Sequence, residues 1–143
     1  MREIKFRAWD KERKMWLEIN AIDFENKKVY LKGGEIRDFT KVDIMQYTGL
    51  KDRHNKEIYE GDIVKNNWFR CDGEFIGGNW VVRYGGHSID GQDYYSSWGC
   101  GFYFDRCDGV ENETYNIIQI PFDKNKGIEI IGNVCENPEL IKK

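Results

Sequence analysis

Gln46-Tyr47-Thr48-Gly49-Leu50-Lys51-Asp52, followed after a short polar gap by Glu57-Ile58-Tyr59-Glu60-Gly61-Asp62-Ile63-Val64, is the stretch that decides the fold. Residues 43–50 read as a strand ending in Thr48-Gly49. Lys51 to Lys56 is a polar connection containing Asp52, His54 and Asn55. Glu57 to Lys65 returns to apolar character. Within it, Glu60-Gly61-Asp62 puts a glycine where the backbone must bend, just ahead of the β-branched pair Ile63-Val64. The segment therefore predicts a strand, a polar turn, and a tight turn leading into a further strand.

The chain on either side carries the same kind of signal. Ile4, Phe6 and Ala8 alternate with Glu3, Lys5 and Arg7, the period-two pattern of a strand with one buried face. Trp9 breaks that alternation, so a strand end or bulge is expected there. Met15 to Phe24 is apolar-rich, Asn26-Lys27-Lys28 is turn-like, Val29-Tyr30-Leu31 is a short strand, and Gly33-Gly34 closes the meander. Towards the C-terminus, Trp80–Tyr84 and Gly101–Asp105 are strand candidates. Gly77-Gly78 and Gly85-Gly86 bracket the first of them as turn signals, and the polar run from Gly85 to Gly99 reads as an extended loop. Asp108-Gly109 is a turn. Tyr115–Phe122 is a strand that Pro121 shortens or confines to an edge, and Gly127–Val134 is the last strand. Asn137-Pro138 then suits a helical turn, with Asn as N-cap and Pro in the first helical position. No helical stripe persists over three turns.

Composition narrows the function classes. With 143 residues, 40% hydrophobic and 15% aromatic, the chain can form a packed core. No apolar run approaches the roughly 20 residues of a membrane helix. The charged N-terminus does not resemble a signal peptide, so a cytosolic protein is expected. Residues 1–65 hold 15 Lys/Arg against 13 Asp/Glu, and residues 66–143 hold 7 against 12. Neither part has the clustered positive charge that a duplex binder uses against phosphates. The cysteines Cys71, Cys100, Cys107 and Cys135 lack the spacing of a zinc knuckle or redox pair. A site from His87, Cys100 and Cys107 is outweighed by reduced thiols acting as small apolar residues. No metal or cofactor is expected.

Four blocks in order carry a resemblance. They are Met1 to Asp10, Tyr47-Thr48-Gly49-Leu50, Glu60-Gly61-Asp62-Ile63-Val64, and Ile131-Gly132-Asn133 followed by Glu136-Asn137-Pro138. Together they resemble the YopX family of phage and prophage proteins. The resemblance covers most of the chain and is weakest in its middle, where the family has a shorter glycine-containing hairpin. It implies a mainly β protein whose C-terminal part is an SH3-type barrel, made by a phage or prophage in the host cytoplasm. It supplies no catalytic residue, and fold alone gives no function.

Three site readings compete. Glu57, Glu60 and Asp62 could supply paired carboxylates, and His54 or His87 a base. No pocket, nucleophile motif or phosphate loop accompanies them, so no enzyme is expected. Residues 67–104 hold eleven of the 21 aromatic residues. A stacking platform for single-stranded nucleic acid is conceivable there, helped by Lys5, Arg7, Lys51, Arg53, Lys56 and Lys65, but Arg70 and Arg83 face four carboxylates within the same stretch. A small barrel cannot bury that many rings, and the surplus points to protein binding. The contact candidates are Trp68, Phe69, Trp80, Tyr94, Tyr95 and Trp98. The expectation is thus a mainly β protein, with an N-terminal strand meander over residues 1–42 and an SH3-type barrel over 43–143 ending in a short helical turn. The other reading takes the two as subdivisions of one folding unit. It would act by protein binding and self-association as a homo-oligomer. A host or phage protein is the second partner class, nucleic acid is the alternative, and no membrane is involved.

Overall fold

The period-two pattern at the N-terminus folds into strand β1 (Phe6–Asp10) of the computed structural model, which describes residues 3–66, 77–86, 100–109, 114–116 and 127–142. The chain divides into two units, Met1–Tyr47 and Thr48–Lys143. The division falls inside a long strand, β6 (Val42–Lys51), whose first residues pair with β1.

In the first unit β1 lies between β2 (Met15–Leu17) and β6, antiparallel to both. A second sheet has the order β3 (Ile19–Asp23), β4 (Lys28–Leu31), β5 (Ile36–Asp38). Ala8, Leu17, Val29, Leu31 and Val42 are buried together as the core, with Ile19, Phe39 and Ile44 packed against them. Trp9 neither ends nor bulges its strand. The register runs unbroken to Asp10, and Trp9 lies opposite Trp16 with their rings edge-on at 5.0 Å. Strand β5 had no sequence signature, and the apolar run from Met15 splits into two strands around Glu18.

Asp10 ties this unit together. Its side chain is wholly buried at the end of β1. One carboxylate oxygen accepts the Glu12 and Arg13 N–H groups, both at 2.9 Å, which fixes the turn into β2. The other accepts the Arg37 guanidinium from β5, through Nε at 3.1 Å and through Nη2. Arg13 in turn makes a two-pronged pair with Glu35, at 2.7 and 3.0 Å. The Arg13 N–H and the Arg37 guanidinium, helped by the Glu12 N–H, outweigh the cost of burial and hold the Asp10 carboxyl at about 2.

The second unit is built on the antiparallel sheet β11-β10-β9-β8-β12. Its strands are β8 (Asp62–Asn66), β9 (Gly78–Gly86), β10 (Cys100–Arg106), β11 (Thr114–Asn116) and β12 (Glu129–Asn133). The sheet is an open row, with β11 and β12 at its ends. A further strand, β7 (Glu57–Tyr59), neighbours β6. Alternation divides the side chains between two faces. Val64, Trp80, Val82, Phe102 and Phe104 bury one face with Ile58 and Ile128. Ile63, Val81 and Cys107 bury the other, covered by Ile131, Val134, Leu140 and Ile141. Removing a ring such as Phe104 would cost about 3–5 kcal/mol. Gly78, Gly85 and Gly86 are strand residues, not turns: all three lie within β9 and pair with β8 or β10. A side chain at Gly78 would meet an Asp108 carboxylate oxygen at 2.6 Å, so it would have to displace the Asp108–Arg106 pair.

The motif blocks meet in buried polar contacts. Thr48 Oγ1 donates to the Ile58 carbonyl at 2.8 Å. Asp52 accepts the His54 and Lys56 N–H groups at 2.9 Å and the Ile130 N–H at 3.2 Å. Burial raises the Asp52 carboxyl, but the N–H groups of Lys56, Ile130 and His54 together lower it further than burial raises it. Asp62, also buried, accepts the Tyr59 N–H at 2.8 Å and the Asn133 side-chain amide at 3.2 Å. Gly61, at φ +82°, bends the chain between β7 and β8, as its sequence context predicts. The terminal turn is a 3-10 helix, Pro138–Leu140. Asn137 stands at its N-cap position without capping it: its side-chain oxygen accepts the Asn133 N–H instead, at 3.3 Å.

Two outcomes follow. A methyl group at Gly132 would come within 2.7 Å of the Asn137 oxygen and 2.9 Å of Leu140 Cδ1. Gly132→Ala should therefore lower stability by about 1–3 kcal/mol in urea unfolding; an unchanged midpoint would refute this packing. For Asp10, the folded chain binds the proton less tightly than the unfolded chain, whose carboxyl sits near 3.8. Its contribution is complete above roughly pH 4 and is lost as pH falls towards 2. Urea midpoints of wild type and Asp10→Asn should differ at neutral pH and converge in strong acid.

Candidate functional site

Trp80 is a core residue and offers no contact surface. It is 0% exposed, and its indole N–H donates to the Asn66 side-chain oxygen at 2.9 Å. The physical reason is register: Trp80 lies opposite Val64 on β8 and shares its face of β9 with Val82. The other candidates, Trp68, Phe69, Tyr94, Tyr95 and Trp98, lie outside the described residues. Further along β9, Tyr84 is 56% exposed, edge-on to Phe102 at 5.0 Å.

The acidic and nucleophilic candidates are not assembled into a catalytic set among the described residues. Asp62 is committed to its two donors, and Glu57 accepts the Tyr59 hydroxyl at 2.9 Å. His54 is exposed and accepts the Arg53 Nε–H at 3.1 Å, with Glu129 at 3.4 Å. Burial, with Asp108 and Asp105 nearby, pushes the Cys107 thiol up to about 11, leaving it protonated and unreactive. Cys135 is half-buried, and its N–H donates to the Asn133 side-chain oxygen at 2.8 Å. Among the described residues no three His, Cys, Asp or Glu side chains are placed to share a metal ion. His87, Cys71 and the Cys100 side chain lie outside them. No helix among the described residues is long and apolar enough to cross a membrane.

Two features of the first unit remain. Ala21, Tyr30 and Ile36 stand side by side across β3, β4 and β5. They lie on the opposite face from Val29 and Leu31, which fill the core. Tyr30 is 37% exposed and Ile36 is 53% exposed, and the Lys28–Asp38 ion pair at 2.8 Å flanks them. Tyr30 faces outward because its strand neighbours Val29 and Leu31 are buried. The second feature is a cleft of about 330 Å³ lined by Phe6, Arg7, Trp16, Leu17, Glu18, Ile19 and Lys32. The Arg7 guanidinium lies over the Trp16 ring, 4.1 Å from its centre, and Lys32 pairs with Glu18 at 3.3 Å. The sequence reading missed this cleft, because it forms where β2 gives way to β3, a break that periodicity did not show.

No curated protein matches the chain. Among solved structures it is similar to protein EF1440 from Enterococcus faecalis, at 25% identity and a TM-score of 0.54, over 98% of this chain and 99% of that one. The family model described as YopX protein matches residues 5–142, which takes in three of the four sequence blocks whole and the first from Lys5 onward. The chain belongs to the YopX family of phage and prophage proteins.

Proposed function

We propose that this protein is a non-enzymatic phage or prophage accessory protein that works in the bacterial cytoplasm by binding protein, first of all another copy of itself. The observation that carries this reading is the row Ala21–Tyr30–Ile36. It is apolar, exposed, and aligned across three strands, on a sheet whose other face already has a core. Apolar side chains set side by side in this way suit a contact with another protein, and tyrosine is a favoured anchor there. We read the second unit as an SH3-type barrel. Five antiparallel strands with Trp80, Val82 and Phe104 buried on one face support that reading, as does the barrel that the family resemblance implies.

The non-enzymatic part rests on how the buried carboxylates are used: Asp10, Asp52 and Asp62 all hold backbone or amide donors. The nucleic-acid alternative is the weaker reading. Lys5 pairs with Glu3, Arg53 with Glu129 and Arg83 with Asp105, which reduces the positive charge available to a phosphate backbone.

Light scattering over a concentration series tests the proposal. The wild type should form a discrete multimer. Tyr30→Lys and Ile36→Lys should each weaken it by about 2 kcal/mol, roughly thirtyfold in Kd. A wild-type protein that stays monomeric throughout, or a multimer indifferent to both changes, would overturn self-association through this face. A gel shift at low salt that weakens steeply as salt rises would favour the nucleic-acid alternative.

A further inference from the structure

The outward face of the β3-β4-β5 sheet is graded in size. Across the row Ala21–Tyr30–Ile36 the side chains run from a single methyl group through a ring to a branched chain, and all three are exposed. The next outward row is Asp23, Lys28 and Asp38, because residues paired across strands share a face and residues two apart on a strand return to it. Lys32, two residues beyond Tyr30 on the other side, falls on that face by the same alternation and pairs with Glu18 at 3.3 Å. The apolar row thus lies between charged groups, and Tyr30 at its middle has a lysine before and after it along the chain.

Two copies that meet through this face about a two-fold axis have three principal ways to do so. Packed sheets lie either crosswise or with their strands nearly aligned. Crosswise packing turns the row of one copy along β4 of the other, which sets Ala21 and Ile36 against the partner's Lys28 and the partner's Lys32. Apolar side chains would then take water from charged groups without pairing them. Aligned packing with the axis running across the strands sets each residue of the row against its own counterpart. Two alanines leave a gap at one end, and two isoleucines crowd the other. Aligned packing with the axis along β4 reverses the row instead. Ile36 then meets the partner's Ala21 at both ends of the contact, and Tyr30 lies beside the partner's Tyr30 at the axis. Large meets small throughout, as in closely packed faces that interdigitate. Charge does not choose between the two aligned forms: Lys28 faces the partner's Lys32 in one and the partner's Lys28 in the other.

We infer that the protein forms a closed two-fold dimer in which β4 runs alongside β4 of the partner subunit and Ile36 of each copy packs on Ala21 of the other. This rests on the self-association reading and adds to it which residues meet across the contact. Size grading along one row sets the arrangement, so the arrangement can fail while self-association stands.

The test uses mixed dimers, made from equal parts of protein with isotope-labelled methyl groups and unlabelled protein. An isotope-filtered NOE spectrum of this sample reports only contacts between copies. It should show the Ala21 methyl against Ile36. In sedimentation equilibrium, Ala21→Ile forces two large side chains together and should weaken the dimer at least about tenfold. Ile36→Ala opens a gap at the same contact and should cost a similar factor. Placed in one chain, the two changes restore a large-on-small fit, and Kd should return to within about threefold of wild type. Both positions are exposed, and a circular dichroism spectrum like that of the wild type shows that a variant is folded. If Ile36→Ala disturbs the short β5, the NOE and Ala21→Ile decide between them. A dimer that Tyr30→Lys disrupts, but that shows no Ala21–Ile36 contact between copies or is strengthened by Ala21→Ile, overturns the arrangement and leaves self-association standing. A protein that is monomeric at every concentration overturns both.

Discussion

Buried aspartates holding turn amides are the constraint on which the rest of this structure depends. A carboxylate taken out of water is costly unless donors surround it, and a tight turn leaves amides that need acceptors. Asp10, Asp52 and Asp62 meet both needs at once. Asp10 sets the β1–β2 turn and anchors Arg37 of β5, joining the two sheets of the first unit. Asp52 holds its own turn and reaches Ile130 on β12, far away in sequence. Asp62 holds the start of β8 and the Asn133 amide on β12. Each of these carboxylates links a local turn to a distant strand, so losing one would disturb local and long-range structure together.

This explains why the family blocks name a fold and no reaction. Thr48 is bonded to the Ile58 carbonyl, Gly61 supplies a positive φ, Gly132 admits Asn137 and Leu140, and Asn133 closes on Asp62. These contacts satisfy buried polar atoms or clear space for a close approach. The most recognisable side chains are thus occupied in holding the molecule together, and the surfaces open to a partner are built from other residues. Tyr30 and Ile36 stand in short strands at exposed positions, which many other residues could occupy.

The same physics separates what the sequence reveals from what it hides. Strand β1 was legible because one of its faces is apolar, β12 because it is rich in isoleucine, with Ile130 and Ile131 packing on opposite faces, and the bend at Gly61 because only glycine fits it comfortably. The three residues of β5 were not, since so short a run has no period to read. The break at Glu18 was hidden because its neighbours are apolar on both sides, and only pairing with β4 decides where the chain turns away. Glycine misled in the opposite sense. Gly78, Gly85 and Gly86 read as turns but stand in a strand, where Asp108 crowds the first of them. Aromatic crowding placed Trp80 among the surface candidates. It counts rings, and only register tells which face of a strand a ring is on.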